Sequence, residues 1–89
     1  MLTVIVPTYN AESYLSQAIG SLLNENKINL EILAINDGST DNSLAVMQDF
    51  AARDSRVRVI DKANQGYGAT CNLGIREAKG DWIAILEPD

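Results

Sequence analysis

Apolar residues along this chain follow two alternating periods. A β-branched apolar run from Leu2 to Val6, ended by Pro7, has the pattern of a buried strand. Beyond Asn10, a residue suited to an N-cap, Leu15, Ile19, Leu22 and Leu23 share one face of a helix. The polar, turn-like stretch 24–29 leads into a second strand, Leu30 to Ile35. The cluster Asn36-Asp37-Gly38-Ser39-Thr40-Asp41 predicts a turn in which Ser39 or Thr40 caps a second helix, with Asp41 in its first turn. Leu44, Met47, Phe50 and Ala51 form the buried face of that helix. Val57 to Ile60 reads as a short third strand and Asn64 to Gly68 as a flexible loop. A helix from about Ala69 to Ala78 follows, stopped near Gly80, and Trp82 to Leu86 is a fourth strand ended by Pro88.

The resulting order, β-α-β-α-β-α-β, predicts an α/β fold: a Rossmann-like, open, mostly parallel sheet with helices on both faces. Right-handed crossovers leave few topologies. Ligands of such sheets bind outside the carboxyl ends of the strands. Three polar clusters lie at those ends: 7–10, 36–39 and 87–89. Their convergence on one rim is the main sign of a site.

Composition narrows the classes. With 46% hydrophobic and 21% charged residues, the 89-residue chain suits one small globular domain. The net charge of −5 disfavours binding to a nucleic-acid backbone, although a divalent cation can still bridge an acidic domain to a phosphorylated ligand. Cys71 is the single cysteine, which excludes an intrachain disulfide and a cysteine-based metal site and suits a reducing compartment. No apolar stretch approaches the ~20 residues of a membrane span, and the first residues read as a strand rather than a signal peptide. The chain has no histidine, so imidazole-dependent hydrolase triads are excluded within it.

Several residues carry candidate chemistry, each with a plainer alternative. Asp37 is either a carboxylate accepting a nucleobase N–H or a ribose hydroxyl, or a turn carboxylate supporting a helix start. Tyr9 either lays its ring on a flat base or covers the sheet rim. Pro7 and Thr8 shape the exit from the first strand, and border a ligand if the rim is a pocket. Glu87 and Asp89, two apart on extended backbone, point the same way. They suit a hard divalent cation or form an acidic strand end facing water. The loop around Gly66 matches neither nucleotide-binding glycine motif, and reads as a close approach of backbone to the ligand rim.

Taken together, Val4-Ile5-Val6-Pro7-Thr8-Tyr9-Asn10, Ser21-Leu22-Leu23, Glu31-Ile32 leading to Asn36-Asp37-Gly38-Ser39-Thr40-Asp41, Asn64-Gln65-Gly66, Asn72-Leu73-Gly74-Ile75, Ala78-Lys79-Gly80-Asp81-Trp82 and Leu86-Glu87-Pro88-Asp89 resemble the N-terminal half of inverting, family 2 glycosyltransferases of GT-A fold. No single motif is specific; their order and spacing are. The resemblance implies a nucleotide-sugar donor, usually a uridine diphosphate sugar, bordered by Pro7, Thr8, Tyr9, Asp37 and Gly66. It implies magnesium or manganese at Glu87 and Asp89, with Asp89 reaching the ribose or the metal. It further implies a saccharide or lipid-linked acceptor, cell-envelope polysaccharide synthesis as a setting, and a cytoplasmic location, at the inner membrane face for a longer parent protein.

The sequence departs from the family pattern in two places. Glu87 stands where aspartate is common, and the aspartate that commonly follows the position of Asp89 is not in this chain, so an incomplete cation site is expected. The catalytic base belongs to the family's C-terminal half, and the chain alone is expected to be inactive. An uncovered sheet edge at Trp82 to Leu86 is expected to drive self-association. Two rival readings are a non-catalytic interaction module and another α/β nucleotide-binding enzyme. The lack of a glycine-rich phosphate motif after the first strand counts against the second.

Overall fold

The structure, a computed structural model, describes residues 1–88. Seven elements alternate along the chain: β1 (Leu2–Thr8), α1 (Glu12–Leu23), β2 (Leu30–Asp37), α2 (Ser43–Arg53), β3 (Val57–Lys62), α3 (Tyr67–Glu77) and β4 (Trp82–Ile85). The strands form one parallel sheet in the order β3-β2-β1-β4, so the chain reverses its winding direction between β1 and β4.

Strand alternation sorts the core into two layers. Val4, Val6, Ile32, Ala34 and Val57 pack with Leu15 and Ile19 of α1 and Met47 of α2 on one face. Ile5, Leu33 and Ile35 pack with Ile60 and with Leu73 of α3 on the other. The helix α3 lies close because Gly74 has no side chain; a Cβ there would sit 2.7 Å from Ile5 Cγ2. Central β1 and β2 are therefore covered on both sides, as parallel strands require. In β4 every residue is exposed, with Trp82 at 74%.

Three strands run further than their apolar stretches indicate. β1 continues through Pro7 to Thr8, β2 to Asp37 and β3 to Lys62. Pro7 is tolerated because Ile5, two residues earlier, turns its carbonyl toward β4, where it accepts the Leu86 N–H at 2.9 Å. Pro7 points its absent N–H the same way, beyond the last β4 pairing, so no bond to β2 is lost. Asn36 and Asp37 are thus strand residues rather than turn residues. β4 stops one residue short of the expected Leu86.

The helix starts are also built differently. Asn10 does not cap α1; it adopts φ 50°, and Ala11 occupies the cap position without a side-chain cap bond. Neither Ser39 nor Thr40 caps α2, where Asn42 holds that place and Asp41 precedes the helix. Instead the two helix starts satisfy each other. Asn10 Oδ1 accepts the N–H groups of Thr40 (2.7 Å) and Asp41 (3.3 Å), and Ser39 Oγ accepts that of Asn10 (3.0 Å). Asp41 Oδ2 accepts the Glu12 N–H and Glu12 Oε1 accepts the Asn42 N–H, each at 3.2 Å. Backbone donors leading into both helices, with that of Glu12 in the first turn of α1, are thereby filled across a separation of some thirty residues. This lock fixes the loops after β1 and β2 side by side at the carboxyl rim of the sheet.

Candidate functional site

The central group at this rim is the carboxylate of Asp37. Parallel register sets Asp37 opposite Lys62 at the ends of β2 and β3, on the sheet face that α3 covers. Lys62 Nζ donates to Asp37 Oδ1 at 2.7 Å, and also to the Ala63 carbonyl (3.2 Å) and Thr70 Oγ1 (3.3 Å), which engages all three of its hydrogens. The N–H of Gln65 donates to Asp37 Oδ1 at 2.8 Å and that of Gly66 to Oδ2 at 3.0 Å. The Asp37 carbonyl accepts Asn64 Nδ2 at 3.0 Å. The segment before α3, expected to be a flexible loop, is therefore tied down, and the helix starts at Tyr67 rather than near Ala69. The carboxylate sits at the N-terminus of α3, where the helix dipole favours a negative charge.

Asp37 is buried at 4% exposure, which by itself raises a carboxyl pKa. The hydrogen bonds from Lys62, Gln65 and Gly66, with the Lys62 charge, outweigh that burial and hold Asp37 below the ordinary 3.8. It is ionised at neutral pH. A carboxylate offers about four acceptor positions. Two on Oδ1 and one on Oδ2 are filled, which leaves one on Oδ2.

Asp37 lines a hollow of ≈ 70 Å³ with Pro7, Thr8, Tyr9, Tyr67 and Thr70. An adjoining hollow of ≈ 270 Å³ is lined by Pro7, Tyr9, Ala11, Tyr67, Glu87 and Pro88. The two share Pro7, Tyr9 and Tyr67 and make one furrow running from the end of β2 to the segment after β4. Four residues picked out in the sequence, Pro7, Thr8, Tyr9 and Asp37, thus meet in one hollow, and Glu87 lines the next. Gly66 lines neither; its φ of 98° turns its N–H onto Asp37, so the close backbone approach here is to the carboxylate. Asp89 lies outside the described residues. A larger groove of ≈ 430 Å³ between α1 and the segment after β4, lined by Tyr14, Ala18, Leu22 and Leu86 among others, contains no charged side chain among the described residues.

Three contributors were not singled out in the sequence. Lys62 lies beyond the apolar part of β3, which ends at Ile60, and Thr70 reads as an ordinary helix residue until the Lys62 contact is known. Tyr67 reads from the sequence as part of the loop at 64–68, whereas it opens α3. Its hydroxyl donates to Glu87 Oε1 at 2.9 Å, a bond that pushes the phenol up to about 12 and keeps it protonated. The available signal was the strand alternation that sets Lys62 on the same face as Ile60.

Among the described residues, no three or more His, Cys, Asp or Glu side chains gather as a cation would need. Glu87 alone offers one carboxylate, too few for a cation that takes about six oxygens. Among the described residues, too, no helix is long and apolar enough to cross a membrane.

The family described as Glycosyl transferase family 2 matches residues 3–89. The chain belongs to that family. It is 39% identical to the uncharacterized glycosyltransferase EpsJ of Bacillus subtilis over 89 residues, covering 100% of this chain and 26% of that protein. Among solved structures, Staphylococcus aureus TarS 1–349 in complex with UDP-GlcNAc superposes with a TM-score of 0.90 at 27% identity, over 99% of this chain and 26% of that one. A mannosyltransferase of Pyrobaculum calidifontis, in complex with GDP-Man and Mn2+, superposes with a TM-score of 0.89 at 22% identity, over 99% of this chain and 27% of that one. The chain therefore spans about a quarter of the length of these relatives. Its fold is the GT-A glycosyltransferase architecture in its N-terminal part.

Proposed function

We propose that this chain is the donor-binding part of a glycosyltransferase and takes a nucleoside diphosphate sugar, with uridine preferred to guanosine, along the furrow from Asp37 to Glu87. The observation that carries the reading is the buried, ionised Asp37 with one acceptor position left, in a hollow walled by Pro7, Thr8 and Tyr9. Uracil presents a single ring N–H between two carbonyls, which one acceptor satisfies. Guanine presents two adjacent donors and would need both carboxylate oxygens, of which Oδ1 is filled. Tyr9, 55% exposed, offers its ring face to the base. TarS binds UDP-GlcNAc and the Pyrobaculum mannosyltransferase binds GDP-Man, so the preference for uridine rests on the Asp37 geometry.

The reaction we assign to the whole enzyme is displacement at the anomeric carbon by an acceptor hydroxyl, with inversion. That step needs a base. In this reading Asp37 gives its one open position to the nucleobase, and the family resemblance puts the base for the acceptor hydroxyl in the C-terminal half of such enzymes. The chain alone therefore binds donor and does not transfer. Appearance of labelled product from UDP-GlcNAc with the purified 89-residue chain would overturn this. We extend the proposal to magnesium or manganese held by Glu87 and Asp89, hard oxygen donors suited to bridging a diphosphate. We also propose that β4, exposed on both faces, pairs with a second copy; a strictly monomeric sedimentation profile at high concentration would refute it.

Calorimetry with UDP tests the central claim. The parent chain should give saturable heat, more tightly with manganese than with EDTA, and GDP should compete weakly. Absence of heat from the parent chain would instead favour an interaction module that keeps the fold only.

A further inference from the structure

We propose that Tyr67 is a ligand-contacting residue: a second aromatic wall of the furrow, held in place by its hydroxyl bond to Glu87. The inference rests on the nucleotide-binding reading above and adds a residue to it. Tyr67 lines both hollows, as Tyr9 does, so the two rings stand where the hollows meet. Tyr67 is the first residue of α3 and directly follows Gly66, whose N–H holds Asp37. Its backbone is thereby anchored to the carboxylate that reads the base.

The other end of the side chain is anchored as well. The hydroxyl donates to Glu87 Oε1 at 2.9 Å, across a separation of twenty residues, and joins the start of α3 to the segment after β4. A ring held at both ends loses little freedom when a planar ligand lies on it, which is the benefit of preorganisation. At 54% exposure the ring is not core packing, so its apolar face is available. Tyr14, equally exposed at 55%, lies on α1 and lines neither hollow, so exposure alone does not mark Tyr67. The ligand class is a planar nucleobase joined to a diphosphate: the base toward Asp37, the phosphates toward Glu87.

The test uses UDP in EDTA, so that no cation contributes. In the parent chain, nuclear Overhauser contacts should connect the Tyr67 ring protons to the uracil H5 and H6. Tyr67→Ala should raise the Kd for UDP at least about fivefold, the range of one base–aromatic stack. Tyr67→Phe keeps the ring and should stay within a few-fold of the parent. That small loss should vanish when Tyr67→Phe is made in a Glu87→Ala background, because the hydroxyl then has no acceptor to orient it. UDP binding that is equal in the parent and Tyr67→Ala, with no Overhauser contact to the ring, overturns the wall and leaves the Asp37 site standing. A Tyr67→Phe loss as large as that of Tyr67→Ala overturns it too, since the hydroxyl rather than the ring would then matter. UDP that fails to bind the parent chain at all overturns the site and the wall together.

Discussion

Strand β2 carries two buried acids on the same sheet face, Glu31 near its start and Asp37 at its end, and their surroundings are built alike. Each faces a cation of β3: Arg58 lies 3.5 Å from Glu31 and Lys62 lies 2.7 Å from Asp37. Each also takes backbone N–H groups from the flanks of α3, Lys79 for Glu31 and Gln65 with Gly66 for Asp37. The ends differ in what closes over them. At the Glu31 end, Thr3 Oγ1 donates to Glu31 Oε2 at 2.7 Å and accepts the Gly80 N–H at 2.9 Å, which draws the segment before β4 down onto the sheet. A Cβ on Gly80 would lie 2.6 Å from the Met1 carbonyl oxygen and 2.8 Å from the Thr3 backbone nitrogen, so the seal is backbone against backbone. At the Asp37 end, strand termini splay into loops and leave the furrow. A buried, paired carboxylate is therefore no evidence of a site by itself. The open acceptor position beside a hollow is what distinguishes Asp37.

Neutralising each acid sharpens this contrast most. Asp37→Asn removes one member of a buried pair whose side chains are 12% and 6% exposed, and should cost about 3 kcal/mol of stability in denaturant unfolding. It should also weaken UDP binding by at least about tenfold, the value of a hydrogen bond to a charged group. Glu31→Gln should cost less, about 1 kcal/mol, because its Arg58 partner is one-third exposed and the pair is longer. It should leave UDP affinity of the folded chain unchanged. Equal losses of UDP affinity in both variants would erase the distinction between the two ends.

Two glycines probe the same ends through the backbone. Gly80→Ala meets fixed backbone atoms and should destabilise by about 2 kcal/mol without altering UDP affinity. Gly66→Ala meets open space, yet φ 98° with ψ 167° is a conformation kept almost entirely to glycine, with a cost of about 1–3 kcal/mol. Any relaxation of that strain turns the Gly66 N–H away from Asp37, so this variant should lose UDP affinity as well. Thermal unfolding and calorimetry together separate the two.

The smallest effect is on pH dependence. Burial pushes both acids up, but for Glu31 the hydrogen bonds from Thr3 and Lys79 and the Arg58 charge outweigh it, and both acids end below their ordinary values of 4.5 and 3.8. A carboxyl with a lowered folded pKa adds stability above its ordinary value and loses it as the pH falls toward the folded one. The melting temperature should therefore drop on acidification below about pH 4.5, and less steeply in Glu31→Gln. A profile unchanged by that substitution would show that the Glu31 contacts contribute nothing.

How much of this was legible varies with the range of the interaction. The apolar runs of β1 and β2 and the face formed by Leu15 and Ile19 follow from periodicity, which is local. Pro7, Thr8, Tyr9 and Asp37 were found because strand ends in a parallel sheet share a rim. The strand ends are not legible in this way: polar residues at Asn36, Asp37 and Lys62 look like strand exits until a neighbouring strand supplies the ladder. The capping pattern is hidden for the same reason, since Asn10 serves the start of α2 and Asp41 and Ser43 serve the start of α1.

The sequence by itself determined the alternation of strands and helices, the direction of the sheet and the family, because these depend on residue order and side-chain period. Only the tertiary structure decided which acid is sealed and which is open, that Lys62 and the backbone of Gln65 and Gly66 hold Asp37, and that Tyr67 reaches Glu87. Those facts depend on strand register and on where a helix docks. Neither leaves a trace within the few residues a periodicity can read.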